Sequence, residues 1–98
     1  MIDVFEGWIR AKKDWFEKMG LQYEVTKSPL HIDKPSERID FDNEKFLSRI
    51  TVWETGECNL EVLDVETGMT ILDSDFVLQP NNVLDVCFQE FFNIILAE

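Results

Sequence analysis

Residues 46–61 read Phe46-Leu47-Ser48-Arg49-Ile50-Thr51-Val52-Trp53, then Glu54-Thr55-Gly56, then Glu57-Cys58-Asn59-Leu60-Glu61. Two apolar-alternating runs flank a short polar stretch that ends in glycine, which is the pattern of a β-hairpin. Glycine at the positive-φ position of a three-residue loop fits Glu54–Gly56. That loop pairs Val52 with Cys58 and Ile50 with Leu60 on one face. The other face then sets Arg49 opposite Glu61, Thr51 opposite Asn59 and Trp53 opposite Glu57. Apolar and polar residues separate cleanly, as one buried face requires. A two-residue loop at Thr55-Gly56 would put Ile50 against Glu61 and is rejected.

The same turn chemistry recurs twelve residues on, as Val65-Glu66-Thr67-Gly68 after Trp53-Glu54-Thr55-Gly56. It predicts strands over Phe46–Trp53, Glu57–Val65 and Met69–Leu72. Two copies are too few for a solenoid. Upstream, Leu21, Tyr23 and Val25 alternate with polar residues and predict a first strand. Lys27 to Glu37 holds Pro29 and Pro35, which lack an amide donor, so this piece is expected to be an edge strand at best, and a connecting loop in preference. A short strand is expected around Arg38–Phe41.

Helices are predicted at both ends. Phe5, Trp8, Ile9, Trp15, Phe16 and Met19 form a near-helical stripe over about residues 3 to 19. Asp3 is the expected N-cap, and Gly20 the left-handed residue past the C-terminus, with apolar Leu21 after it. Asn82 is expected to cap a second helix running to about Ala97. That helix is apolar over most of its circumference, so it is either sandwiched between sheet and first helix or part of an interface. The predicted fold is α+β: an antiparallel sheet of four or five strands with an N-terminal and a C-terminal helix on one face.

Length and composition agree with one domain spanning residues 1–98, of ordinary single-domain size. A chain this short buries only about 60–65% of its unfolded surface, so the core must be compact. The formal net charge is −11. It is unevenly spread: residues 1–49 hold ten acids and all nine bases, whereas residues 50–98 hold ten acids and no Lys or Arg. Nucleic acid and anionic membranes are therefore not expected as direct partners, since both are polyanions. The acidic N-terminus lacks the basic and apolar regions of a signal peptide. The apolar run Val83–Ala97 is too short and too polar to span a bilayer. Cys58 and Cys87 are expected as reduced thiols, and the location as cytoplasmic.

Catalytic motifs find no support, so no catalytic residue is assigned. His31 is the only histidine and sits in the Pro29–Pro35 segment. Gly7, Gly20, Gly56 and Gly68 form no phosphate-cradling loop. No cofactor is implied and no metal ligands are assigned. The carboxylates Asp40, Asp42 and Glu44 open like a calcium loop but have Lys45 where glycine belongs, and Asp73-Ser74-Asp75 is an isolated DxD. A metal-dependent hydrolase using these acids is one alternative function. An oligomeric adaptor using the apolar C-terminal helix is another.

The hairpin face points elsewhere. Trp53 among carboxylates suits a protein partner, because tryptophan is enriched at interface hot spots and acids steer a basic protein. Trp53 could equally pack under the proline-containing segment. An acidic face can occupy the basic cleft with which a nuclease holds phosphates.

The segment Arg49-Ile50-Thr51-Val52-Trp53-Glu54-Thr55-Gly56-Glu57, with Leu60-Glu61-Val62-Leu63-Asp64-Val65-Glu66-Thr67-Gly68 after it, resembles the TriTu family of bacterial immunity proteins. The N-terminal helix with Trp8 and the apolar C-terminal helix agree with that outline. The resemblance implies a non-enzymatic partner of a polymorphic toxin, including those of contact-dependent growth inhibition, which it neutralises by tight binding. The expected partner is then a cognate basic toxin domain, of nuclease class. The contacts expected from the residues themselves are Trp53, Glu54, Glu57, Glu61, Asp64, Glu66, Asp73 and Asp75.

Overall fold

A computed structural model describes residues 1–29 and 31–97. The elements run α1 (Ile2–Lys18), β1 (Gln22–Lys27), β2 (Ser36–Asp42), β3 (Phe46–Trp53), β4 (Glu57–Asp64), β5 (Thr70–Val77), α2 (Leu84–Cys87) and α3 (Gln89–Ile95). The five strands form one antiparallel meander in the order β1-β2-β3-β4-β5. The expected α+β architecture is what forms.

The hairpin register is the one the three-residue loop dictates. Val52 pairs with Cys58, Ile50 with Leu60, Thr51 with Asn59 and Arg49 with Glu61. Gly56 has φ +96°, and its N–H donates to the Trp53 carbonyl at 2.8 Å. Gly68 repeats the solution at φ +73°. Val52, Cys58, Ile50 and Leu60 are all buried, so this face of the sheet carries the core.

Helix α1 ends as predicted. Leu21 N–H donates to the Phe16 carbonyl and Gly20 N–H to the Glu17 carbonyl, with Gly20 at φ +73°. Those two bonds make a Schellman motif, and buried Leu21 is its apolar lock. The start differs from expectation. Asp3 is not the N-cap: the helix begins at Ile2, with Met1 in the cap position and no side-chain cap. Burial of Ile2 draws the cap two residues earlier, from Asp3 to Met1, leaving Asp3 inside the first turn, where a carboxylate still favours the helix dipole.

Three further elements depart from the sequence reading. Strand β2 starts at Ser36, immediately after Pro35, because Ser28 and Ser36 bond to each other through backbone and hydroxyl and carry the β1–β2 ladder outward. The connection predicted over 27–37 includes Leu30, which lies outside the described residues. Strand β5 does not stop at Leu72 but continues through Asp73-Ser74-Asp75 to Val77. The C-terminal helix is two pieces, α2 and α3, with Phe88 between them at φ −101° and ψ 7°. Asn82 caps neither; its Oδ1 accepts from Gln79 N–H at 2.7 Å and closes the turn around Pro80.

The helices lie side by side on the buried face, α1 over β2 and β3 and α3 over β4, so α3 is not sandwiched. An aromatic seam joins them. Trp8 meets Phe88 at 5.1 Å and Trp15 meets Phe92 at 5.3 Å between ring centroids. Phe16 and Phe92 continue the contact down to Phe41 on the sheet, at 5.1 and 5.5 Å. Phe88 is fully buried here, and its edge-on packing against the stacked rings of Phe5 and Trp8 accounts for the break in the C-terminal helix. Among the described residues, no helix is long and apolar enough to cross a membrane.

Candidate functional site: the open face of the sheet

With the N- and C-terminal helices on one side, the opposite face of the sheet carries no covering helix or strand among the described residues. The register assigns its residues row by row. One row runs Glu24, Asp40, Arg49, Glu61, Asp73 across all five strands. The next runs Thr26, Arg38, Thr51, Asn59, Asp75. Trp53 and Glu57 stand at one end of this face, and the directly paired Leu47 and Leu63 at the other.

The charges do not balance locally. The Arg49 Nε donates to Asp40 Oδ1 at 2.6 Å, and Arg38 Nε lies 3.4 Å from Asp40 Oδ2. Both arginines of the face therefore attend one carboxylate. Asn59, nine-tenths buried, donates through Nδ2 to Asp73 at 3.0 Å and to Asp75 at 2.8 Å. That shared amide draws two like charges towards one point, where they repel each other. The Asn59 Oδ1 is buried and has no hydrogen-bond partner among the described residues. Among the described residues, Glu24, Asp42 and Glu61 make no ion pair.

The eight residues predicted as contacts fall into two groups. Glu57, Glu61, Asp73 and Asp75 share the open face with Trp53. Trp53 is half-buried, with Lys34 Nζ 5.3 Å from its ring centroid while the same ammonium pairs with Glu57. The proline-containing segment thus does reach Trp53, through a cation–π contact that leaves part of the ring exposed. Glu54 and Glu66 stand apart in the turns, and Asp64 is the last residue of β4. Glu54 binds the Met1 ammonium at 2.9 Å, and that hydrogen bond holds its carboxyl below the usual range. Asp64 Oδ1 accepts from the N–H groups of Glu66 and Thr67, which organises the β4–β5 turn. Glu66 is exposed in that turn, at the opposite end of β4 from Glu54.

Sequence reasoning missed Glu24 and the pair Leu47/Leu63 as members of this face. The alternation of β1 and β2 was the available signal, but their mutual register hangs on a long connection. It also missed Glu37, which is fully buried on the helix-covered side, with neither carboxyl oxygen hydrogen-bonded among the described residues. Burial pushes the Glu37 carboxyl up, while Lys27, 3.7 Å away, pulls the other way. Lys27 is itself shared with Glu6 at 2.6 Å. The alternation Glu37-Ile39-Phe41 carried that signal.

Nothing in this arrangement prepares a nucleophile. The Cys58 thiol is pushed up to about 12, chiefly by burial and further by Cys87 and Asp75, so it stays protonated at neutral pH. Both cysteines are free, as expected. His31 is exposed. Among the described residues, no three His, Cys, Asp or Glu side chains are grouped to hold a metal ion. What the face offers is an array of fixed carboxylates with an aromatic at one end and an apolar pair at the other.

A comparison with curated proteins finds no match. A comparison with protein families does: the model for the immunity protein TriTu matches residues 3–94, from the first turn of α1 to the penultimate residue of α3. The match takes in every strand of the open face, and the chain belongs to the TriTu family of immunity proteins.

Proposed function

We propose that this chain is a cytoplasmic, non-enzymatic inhibitor that neutralises a cognate basic toxin domain of nuclease class by laying the open face of its sheet against it. The toxin would belong to a polymorphic system such as contact-dependent growth inhibition. The observation that carries the reading is the uncompensated row across the sheet, where four acids flank Arg49 and Arg49 is committed to Asp40. Carboxylates fixed in this way raise the on-rate of a cationic partner and disfavour anionic ones. Glu57, Glu61, Asp73 and Asp75 form the centre of the contact with Trp53 as its aromatic anchor. Glu54, Asp64 and Glu66 stand at its rim.

Co-expression tests this directly. The toxin domain encoded beside this chain should arrest growth alone, and the wild-type chain should restore it. Glu57→Lys with Glu61→Lys should fold normally and fail to protect. Full protection by that variant would move the interface off this face.

A further inference from the structure

At the end of the open face away from Trp53 lies a shallow hollow of about 610 Å³. Leu47 and Leu63 form its apolar floor, Leu47 being 46% exposed although it is a large aliphatic residue in the middle of a sheet. The register shift between Val62 and Leu63 turns Thr70 in beside Leu63 and leaves Ile71 as the extra residue of a bulge. Glu24, Asp42 and Glu61 stand around the floor, and none has an ion pair among the described residues.

Resting on the reading of this face as the toxin-binding surface, we infer that the hollow receives one arginine or lysine side chain of the partner. Its aliphatic stem lies on Leu47 and Leu63, and its cationic head reaches Asp42, Glu24 and Glu61. The two halves of the hollow make opposite demands. A purely apolar occupant would strip water from the carboxylates and return nothing. A bare cation would leave the leucines wet. A second copy of this chain would bring a net charge of −11 towards an acidic rim. A long-stemmed cation answers both demands, because lysine and arginine cover apolar surface with their methylenes while the charge stays at the tip. Asp40 takes no part, since Arg49 and Arg38 already neutralise it.

Small probes test this without any toxin. N-acetyl-arginine amide and N-acetyl-lysine amide are titrated into the ¹⁵N-labelled chain, with guanidinium chloride as head without stem and N-acetyl-norleucine amide as stem without head. At least one of the amphipathic cations should shift the amides of Asp42, Leu47, Glu61 and Leu63 together, and neither control should match it. Equal shifts from guanidinium, equal shifts from the norleucine compound, or shifts scattered over every acidic surface would each overturn the inference. With the toxin domain, Leu63→Ser should weaken binding about tenfold while the dispersion of its own spectrum reports an intact fold. Neutralisation with undiminished affinity in Leu63→Ser would sink the hollow alone, whereas a wild-type chain that gives no neutralisation would sink the functional reading beneath it.

Discussion

Arg49 stands directly opposite Glu61 in the β3–β4 ladder, yet its guanidinium turns away and donates to Asp40 on β2 at 2.6 Å. Two carboxylates compete for one cation and the one on β2 takes it. Glu61 is left facing Asp73 across the β4–β5 ladder, a like-charge pair on an exposed surface. Directly opposed like charges disfavour the sheet, and a basic partner would relieve them.

The pair should therefore separate stability from binding. Glu61→Gln with Asp73→Asn removes a repulsion between directly opposed residues, worth a few tenths to about 1 kcal/mol. Thermal melts should show equal or slightly higher stability, while affinity for the toxin falls. A clear loss of stability would mean that these acids support the sheet instead.

Glu37 gives a pH signature of its own. Its carboxyl is pushed up by burial, so the folded state holds the proton more tightly than the unfolded chain does. This group penalises the fold increasingly as pH rises from the ordinary carboxylate range through the raised value, and costs nothing below it. Glu37→Gln should be more stable than wild type by about 1–2 kcal/mol at pH 7. The gap should close towards about pH 4, which urea melts across that range would measure. A gap independent of pH would assign the effect to packing.

Asp85 has the reverse sign. Lys12 binds it at 2.9 Å and the Trp8 indole N–H donates to it at 2.9 Å, and these two bonds, Lys12 first, hold its carboxyl low. Its contribution is full above the ordinary carboxylate range and is lost as acid protonates it. Because Asp85 is half exposed, Asp85→Ala should cost only about 1 kcal/mol at neutral pH and still less in acid. Equal losses at both pH values would remove the charge from the explanation.

Two glycines should respond oppositely to alanine. At Gly56 φ is +96°, and an added Cβ would sit 3.0 Å from the Leu78 carbonyl oxygen, so Gly56→Ala should destabilise by about 1–3 kcal/mol. Gly7 lies within α1 with nothing within 4 Å of such a Cβ, so Gly7→Ala should stabilise by about 0.5–1 kcal/mol. Chemical denaturation of the two variants side by side checks both signs.

The parts of the fold legible in the sequence are those fixed by short-range chemistry. A three-residue loop and one glycine set the register of Ile50, Val52, Cys58 and Leu60, and through it the side on which Glu61 stands. The Gly20-Leu21 pair ended α1 for the same local reason. Strand β5 runs past the predicted Leu72: it is an edge strand with no buried residue, and Asp73-Ser74-Asp75 shows no apolar alternation to signal it. The break at Phe88 depends on Phe5 and Trp8, residues far away in the chain, and Asn82 was already engaged with Gln79. The full row from Glu24 to Asp73 needed the β1–β2 register, which the connection between those strands conceals. The outward side of Glu57 and Glu61 on β4 could thus be read from the hairpin alone, but not the strand placement of Asp73 and Asp75 or the hollow beside Leu47.

The most direct test of the central claim is the dissociation constant of the chain for the toxin domain encoded beside it, measured by calorimetry over a range of salt. Wild type should bind tightly and weaken steeply with salt. Glu57→Lys with Glu61→Lys should bind at least a hundredfold more weakly with a flattened salt dependence and retain an unfolding transition close to wild type. Unchanged affinity and an unchanged salt slope in that folded variant would contradict the account.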